Sequence, residues 1–263
     1  MRDAANLERH IRRLAGRAIG DFGLINDQDR ILVGLSGGKD SWTLLHTLEC
    51  LRQRAPIRFS LVPVTVHPGF PGFDTGAIEE YLRSQAYEYR IVRAPIHETM
   101  IEKLSPDDTA CSLCARLRRG VLYTQAAELG CTKIALGHHR DDFIETLLLN
   151  QLYNGKIKAM APLLYADDGR NVVIRPLVYV AEDDIIRYAA AKGFPVTCCA
   201  CPSCGDPDMK RVKIKKLLDG LEREERGIKS SLLAALSDVD HRHLPAKTSK
   251  NMMCPVSAKR EER

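Results

Sequence analysis

Residues 30–41 read RILVGLSGGKDS. Arg30–Leu35 is an apolar run of strand length, and residues 40–54, DSWTLLHTLECLRQR, continue at helical spacing. Between them lies Ser36-Gly37-Gly38-Lys39-Asp40-Ser41. Glycines let successive backbone N–H groups close on an anion, and the N-terminus of the following helix adds partial positive charge. The strand–turn–helix context therefore makes this turn a candidate anion site, although a Gly-Gly turn between strand and helix is common. Lys39 either adds charge there or points to solvent. The spacing fits neither G-x-x-x-x-G-K-[ST] nor G-x-G-x-x-G.

Outward from this turn the pattern alternates. Strands are expected at 59–66, 89–94, 133–138 and 172–177, and helices at 76–86, 111–129, 141–153 and 181–192, with a Pro/Gly-rich loop at 67–76. Strands separated by helices need crossover connections, so the expected fold is α/β, a doubly wound, mostly parallel sheet. Leu7, Ile11, Leu14 and Ala18 put an apolar stripe on an N-terminal helix over 6–19, with Arg9, Arg12, Arg13 and Arg17 on its other faces. A basic helix is expected at about 208–219, and the tail from 244 reads as disordered. The organisation expected is 1–29 basic helix, 30–180 core, 181–263 cysteine-rich and basic segment.

The 263 residues suffice for a core without disulfide or metal staples. Apolar residues at 44% and charged residues at 28% match ordinary globular proteins. Apolar runs fall far short of the roughly 20 residues of a membrane helix, and the charged start MRDAANLERHIRR is no secretory signal. The expected location is the cytoplasm. A net charge of +5 permits a polyanionic partner.

A second strand-to-helix junction reads Gly137-His138-His139-Arg140-Asp141-Asp142. Ligands bind at the carboxyl ends of parallel strands, so both junctions can line one pocket. These residue types also suit a metal. Structurally, Asp141 is expected to cap the helix with Asp142 in its first turn.

Nine cysteines, an odd number in a long chain, argue against a disulfide framework. Six cluster, at Cys111, Cys114, Cys198, Cys199, Cys201 and Cys204, while Cys50, Cys131 and Cys254 read as isolated packing or surface thiols. The pairs Cys111-x-x-Cys114 and Cys201-x-x-Cys204 suit zinc, an iron–sulfur cluster or sulfur exchange, and spacing alone does not choose.

The SGGKDS turn resembles the PP-loop of ATP pyrophosphatases, which cut ATP between its α- and β-phosphates and adenylate a substrate. GHHRDDFIET, through Glu145 and Thr146, is similar to the second nucleotide motif of PP-loop tRNA-modifying enzymes. CSLCARLRRG, LGHHRDDFIETLLLN, IRPLVYV and ACPSCG, in that order over roughly residues 30–215, resemble the tRNA 2-thiocytidine synthetase family (TtcA). That resemblance implies an ATP-dependent tRNA-cytidine 2-sulfurtransferase acting on cytidine 32 of the anticodon loop. ATP would be bound by Ser36, Gly37, Gly38, Lys39, Asp40, Ser41, Gly137, His138, Asp141 and Asp142, with Mg²⁺ at Asp142. Asp40, Cys111, Cys114 and Cys201 would serve catalysis. A [4Fe–4S] cluster would be held by Cys111, Cys114 and Cys201, leaving one iron open. Cys204 is no ligand in the family scheme, and Cys198 and Cys199 are extra here. A cysteine desulfurase as sulfur donor and a homodimer are also implied. Where the family carries Asn-Leu-Asp-Gln, this chain reads Val64-Thr65-Val66-His67-Pro68, so His67 stands where the family aspartate is missing.

Basic runs flank these motifs: Arg116, Arg118 and Arg119, then Lys156 and Lys158, then Lys210, Arg211, Lys213, Lys215 and Lys216. Each alone is usually a solvated face; together they suit tRNA phosphates. Two other readings are a PP-loop enzyme thiolating uridine with structural zinc and a persulfide, and a non-catalytic nucleotide- and RNA-binding module.

Overall fold

The computed structural model describes residues 2–103, 110–167, 169–197 and 210–245. Their order is α1 (Arg2–Phe22), β1 (Asp29–Gly34), α2 (Lys39–Arg52), β2 (Phe59–His67), α3 (Gly76–Ser84), β3 (Arg90–Arg93), α4 (Ile96–Lys103), α5 (Ala110–Glu128), β4 (Lys133–Ala135), α6 (Arg140–Asn154), β5 (Leu163–Tyr165), β6 (Val172–Ile174), α7 (Glu182–Lys192), α8 (Lys210–Glu224) and α9 (Ile228–Ala235). The expected tail lies, from residue 246 onward, outside the described residues. No described helix is long and apolar enough to cross a membrane.

The six strands form one sheet ordered β3-β2-β1-β4-β6-β5. Every pairing is parallel except β5 with β6, so the fold is the doubly wound α/β sheet with one antiparallel edge. Side chains alternate across β1. Ile31, Val33 and Leu35 join a core with Ile11 and Ala15 of α1, Leu44 and Leu48 of α2, and Ile185 and Tyr188 of α7. Leu32 faces the other way, toward Met100 of α4 and Leu113, Leu122 and Ala126 of α5. Each fully buried Leu, Ile or Val among these contributes about 1.5–3 kcal/mol. The N-terminal helix is thus part of the main core, its arginines lying off the packed stripe. Ile144 of α6 packs with Ile214 and Leu218 of α8 in a smaller cluster.

The strands expected at 133–138 and 172–177 are shorter than the apolar runs suggest. Leu136 still donates its N–H to Ile174 at 3.0 Å before the chain turns into α6, and Val178 N–H turns back to the Arg175 carbonyl at 3.3 Å. The short elements α4, β5 and α9 carry too little periodicity to announce themselves. Pro63, inside an inner strand, is tolerated for a geometric reason. The Val64 carbonyl faces β1, accepting from Leu35 N–H at 2.9 Å. The Pro63 nitrogen therefore faces the β3 side, where pairing begins only at Val64 with Arg90.

One buried ion pair ties the sheet's far end together. Lys133 Nζ lies 2.9 Å from Asp29 Oδ2, both side chains 8% exposed, and donates to the Leu24 carbonyl at 2.8 Å. Asp29 also accepts from Asn26 N–H and Thr132 Oγ1, each at 2.7 Å. Burial raises its pKa, but these donors together hold it below the ordinary 3.8. Its stabilisation is complete above that unfolded value and fades as pH falls through the lower folded one. Lys133→Met should cost about 3 kcal/mol in urea unfolding, because it strands a buried carboxylate. The pair Lys133→Met with Asp29→Asn should recover most of that loss.

Candidate active site

The glycine turn is held shut from behind. Gly37 sits at φ +84°, and a Cβ there would meet Thr197 Oγ1 at 2.1 Å, so only glycine fits. Thr197 N–H donates to the Gly37 carbonyl at 3.0 Å, and Trp42 Nε1 donates to the Pro195 carbonyl at 3.1 Å. The chain entering the cysteine-rich stretch is therefore stitched to the turn. Gly38 precedes α2 in extended conformation. Ser36 Oγ donates to Ser41 Oγ at 3.3 Å, and Ser41 Oγ donates to the Gly38 carbonyl at 2.9 Å.

β1 and β4 are neighbours, so the two junctions meet. A Cβ on Gly137 would lie 3.0 Å from the carbonyl carbon and oxygen of Asp40 and 3.1 Å from Ser41 N. The resulting cavity of about 330 Å³ is lined by Ser36, Asp40 and Ser41 from the first junction and by Gly137, His138 and Asp142 from the second. Val64 and Val66 of β2 supply an apolar side, and Arg118 and Arg211 supply cations.

Lys39 does not point to solvent. Its Nζ lies 3.0 Å from Asp40 Oδ1 and 3.1 Å from Glu182 Oε1. Burial lowers its pKa, yet the two carboxylates hold it above the ordinary value. Glu182 also accepts from Lys215 of α8 at 2.5 Å. Burial pushes the Glu182 carboxyl up and the two ammonium groups bring it down, for a net lowering.

At the second junction the expected cap is corrected. Asp142, not Asp141, closes the start of α6, accepting from His139 N–H at 3.0 Å. Asp141 turns toward α7 and α9, accepting from Glu182 N–H at 2.9 Å and lying 3.0 Å from Lys229 Nζ. His139 is 5% exposed, its Nε2 3.6 Å from Asp40 and 3.5 Å from Asp142. The two histidines and two aspartates do not converge as one ligand set. Among the described residues the one such grouping is Glu8, His46 and Cys50. There Lys192 already binds Glu8 at 2.7 Å and Tyr188 shares a 2.6 Å hydrogen bond with His46. His138 accepts at Nδ1 from Arg175 Nε at 3.3 Å. Burial, then the Arg175 charge, depress its pKa to about 4.

The basic runs separate into two populations. Arg118 lies one helical turn beyond Cys114 on α5, and its buried Nε has no partner among the described residues. Arg211 Nη2 lies 2.5 Å from Asp142 Oδ1 and its Nε 2.7 Å from Glu145 Oε2. Burial raises the Glu145 pKa, and Arg211 only partly offsets it. Arg116, Arg119, Lys156 and Lys158 are exposed on the outside, and Lys210 Nζ sits 4.9 Å from the centre of the Tyr153 ring.

Cys111 and Cys114 fall on one face of α5 at i and i+3, with Arg118 at i+7. Cys114 is buried; the Cys111 side chain and all of Cys198, Cys199, Cys201, Cys204 and Cys254 lie outside the described residues. Two thiol-bearing residues one turn apart, on the helix that reaches the cavity, fit as two ligands of an iron–sulfur cluster. His67 accepts from Gly69 N–H at 3.1 Å and packs edge-on against Phe73, so it shapes its own turn. Glu182 and Arg175 escaped the sequence reading, and Lys215 reads there only as one cation of a basic run. An acidic first turn on α7 is ordinary for any helix, and an arginine after a strand carries no signal of its own.

Because the atoms facing Gly137 are backbone, they cannot swing aside. Gly137→Ala should separate the junctions and weaken binding of a non-hydrolysable ATP analogue by about tenfold or more, read by calorimetry. Unchanged affinity would show that the abutment is dispensable.

The PP-loop domain family matches residues 4–218. The tRNA-cytidine(32) 2-sulfurtransferase of Geobacter sulfurreducens is 54% identical, over 89% of this chain and 91% of the relative. That of Geotalea daltonii is 51% identical, over 93% and 97%. In fold, the chain is similar to the U34-tRNA thiolase NcsA from Methanococcus maripaludis with its [4Fe–4S] cluster, at a TM-score of 0.75 and 22% identity over 92% of this chain and 84% of that one. The chain belongs to the PP-loop family, and within it to the family of the tRNA-cytidine(32) 2-sulfurtransferases.

Proposed function

We propose that this protein is an ATP-dependent tRNA sulfurtransferase that replaces the O2 oxygen of cytidine 32 with sulfur. One observation carries the reading: Arg118, on the helix of the cysteine pair, lines the same cavity as Ser36, Asp40 and Ser41 of the phosphate turn. Nucleotide chemistry and thiol chemistry thus share a pocket. The names of the curated relatives favour cytidine over uridine and an enzyme over a binding module.

The residues have distinct tasks. The backbone N–H groups of Gly37 to Ser41, at the start of α2, would hold ATP phosphates. When phosphates arrive, Lys39 can exchange Glu182 for them, leaving Glu182 to Lys215. Asp40 and Asp142 offer one hard oxygen ligand from each junction, suited to the Mg²⁺ that accompanies ATP. Cytidine O2 attacks the α-phosphorus and pyrophosphate leaves, so a poor leaving oxygen becomes AMP. The charge built up on the phosphoryl oxygens faces Arg118, Arg211 and the α2 amides, which stabilise it. A [4Fe–4S] cluster held by Cys111, Cys114 and Cys201 would supply an iron at which sulfur is held for transfer to C2. Arg116, Arg119, Lys156, Lys158 and Lys210 would neutralise tRNA phosphates around the cavity, while the target base leaves its stack to enter. The family resemblance adds a cysteine desulfurase as sulfur source and a homodimer to the reading.

Anaerobically purified protein with ATP, tRNA and sulfide should form 2-thiocytidine and release pyrophosphate. Asp40→Ala should lower that rate by about a hundredfold or more with iron content unchanged; full activity would remove the phosphate turn from the mechanism. Metal analysis tests the ligands separately. Cys201→Ala should lose iron from about four per chain, and Cys204→Ala should keep it. Loss in Cys204→Ala alone would reassign the third ligand.

A further inference from the structure

Arg175 lies just past β6 and is buried. Its Nη1 donates to the Ala161 carbonyl at 2.6 Å and its Nε to His138 Nδ1 at 3.3 Å, so both acceptors are uncharged. An arginine Nε–H can only donate. Nδ1 of His138 must therefore be bare, and the ring's proton sits on Nε2. This assignment follows from the donor's chemistry alone. The ring borders the cavity beside Ser36, Ser41 and Asp142.

We propose that Arg175 is a positioning residue that locks His138 as its neutral Nε2–H tautomer, and that this N–H is a donor to a phosphoryl oxygen of the bound nucleotide. The proposal rests on the nucleotide reading above. The groups facing the imidazole are Arg175, Arg211 of α8, His139 of the same junction and Asp142 of α6; Arg119 and Tyr123 of α5 face Arg175 itself. All but Asp142 oppose a second proton on the ring. A neutral donor orients a polyphosphate without adding a cation from which pyrophosphate must later escape. Arg118 and Arg211 already provide that charge, so His138 adds direction.

The test reads the ring directly and then its ligand. Nitrogen-15 spectra of histidine-labelled holoenzyme at neutral pH, assigned by the signals missing in His138→Gln, should show Nδ1 unprotonated and Nε2 protonated. A protonated Nδ1 or an imidazolium overturns the lock. Arg175→Met should lose the fixed signature, and an unchanged one overturns the part given to Arg175. Calorimetry with a non-hydrolysable ATP analogue should show about tenfold weaker binding in His138→Ala. His138→Gln, whose amide places an N–H near the Nε2 position, should recover at least half of that loss. Equal loss in both variants, or none in His138→Ala, overturns the donor role. A holoenzyme that binds no analogue at all overturns the nucleotide reading and the donor role together, while the spectrum still judges the tautomer lock.

Discussion

The contact between Gly137 and the Asp40–Ser41 peptide sets the arrangement on which the rest depends. Two neighbouring parallel strands, β1 and β4, each end in a turn that opens a helix, and no side chain fits between the turns. The starts of α2 and α6 are thereby brought to one crevice, and both bring the partial positive charge of a helix N-terminus to it. A sheet with a residue such as alanine at 137 would keep its strand order but splay these helix ends.

That crevice gathers more charge than an apolar protein interior could hold, and the charges are arranged in alternation. Lys215, Glu182, Lys39 and Asp40 form one run, and Arg211 joins Asp142 to Glu145. Exposed pairs such as Arg242 with Asp240 contribute little beside these. The half-buried runs cost desolvation, so their value lies in registry: α8 is fixed over the second junction, and α7 over the first. Asp141, with Lys229 and the Glu182 N–H, extends the same ties to α9 and away from the cavity.

The fold was legible where periodicity and turn chemistry agree. The alternation of apolar strands with amphipathic helices gave the parallel sheet, and the glycine turn gave the crevice. Short pieces were not legible: β5 pairs over Leu163–Tyr165 on an edge, too brief for a pattern. In the site, the letters identified both junctions and the cysteine pair, but not direction. Arg116, Arg118 and Arg119 look alike in sequence, and only the phase of α5 turns Arg118 inward. Arg211 reads as one more cation in a basic run until α8 is docked against Asp142. Asp141 and Asp142 are adjacent and chemically identical, and which one caps depends on where α6 begins. Glu182 and Arg175 act through partners distant in sequence, a kind of information that a single chain does not display.

Thr197 is bound to Gly37, and Arg211 to Asp142 and Glu145, so the chain is fastened to the same cavity at residue 197 and again at residue 211. The turn before α2 and the start of α8 are therefore held to one crevice by separate contacts, and a change that frees one leaves the other in place.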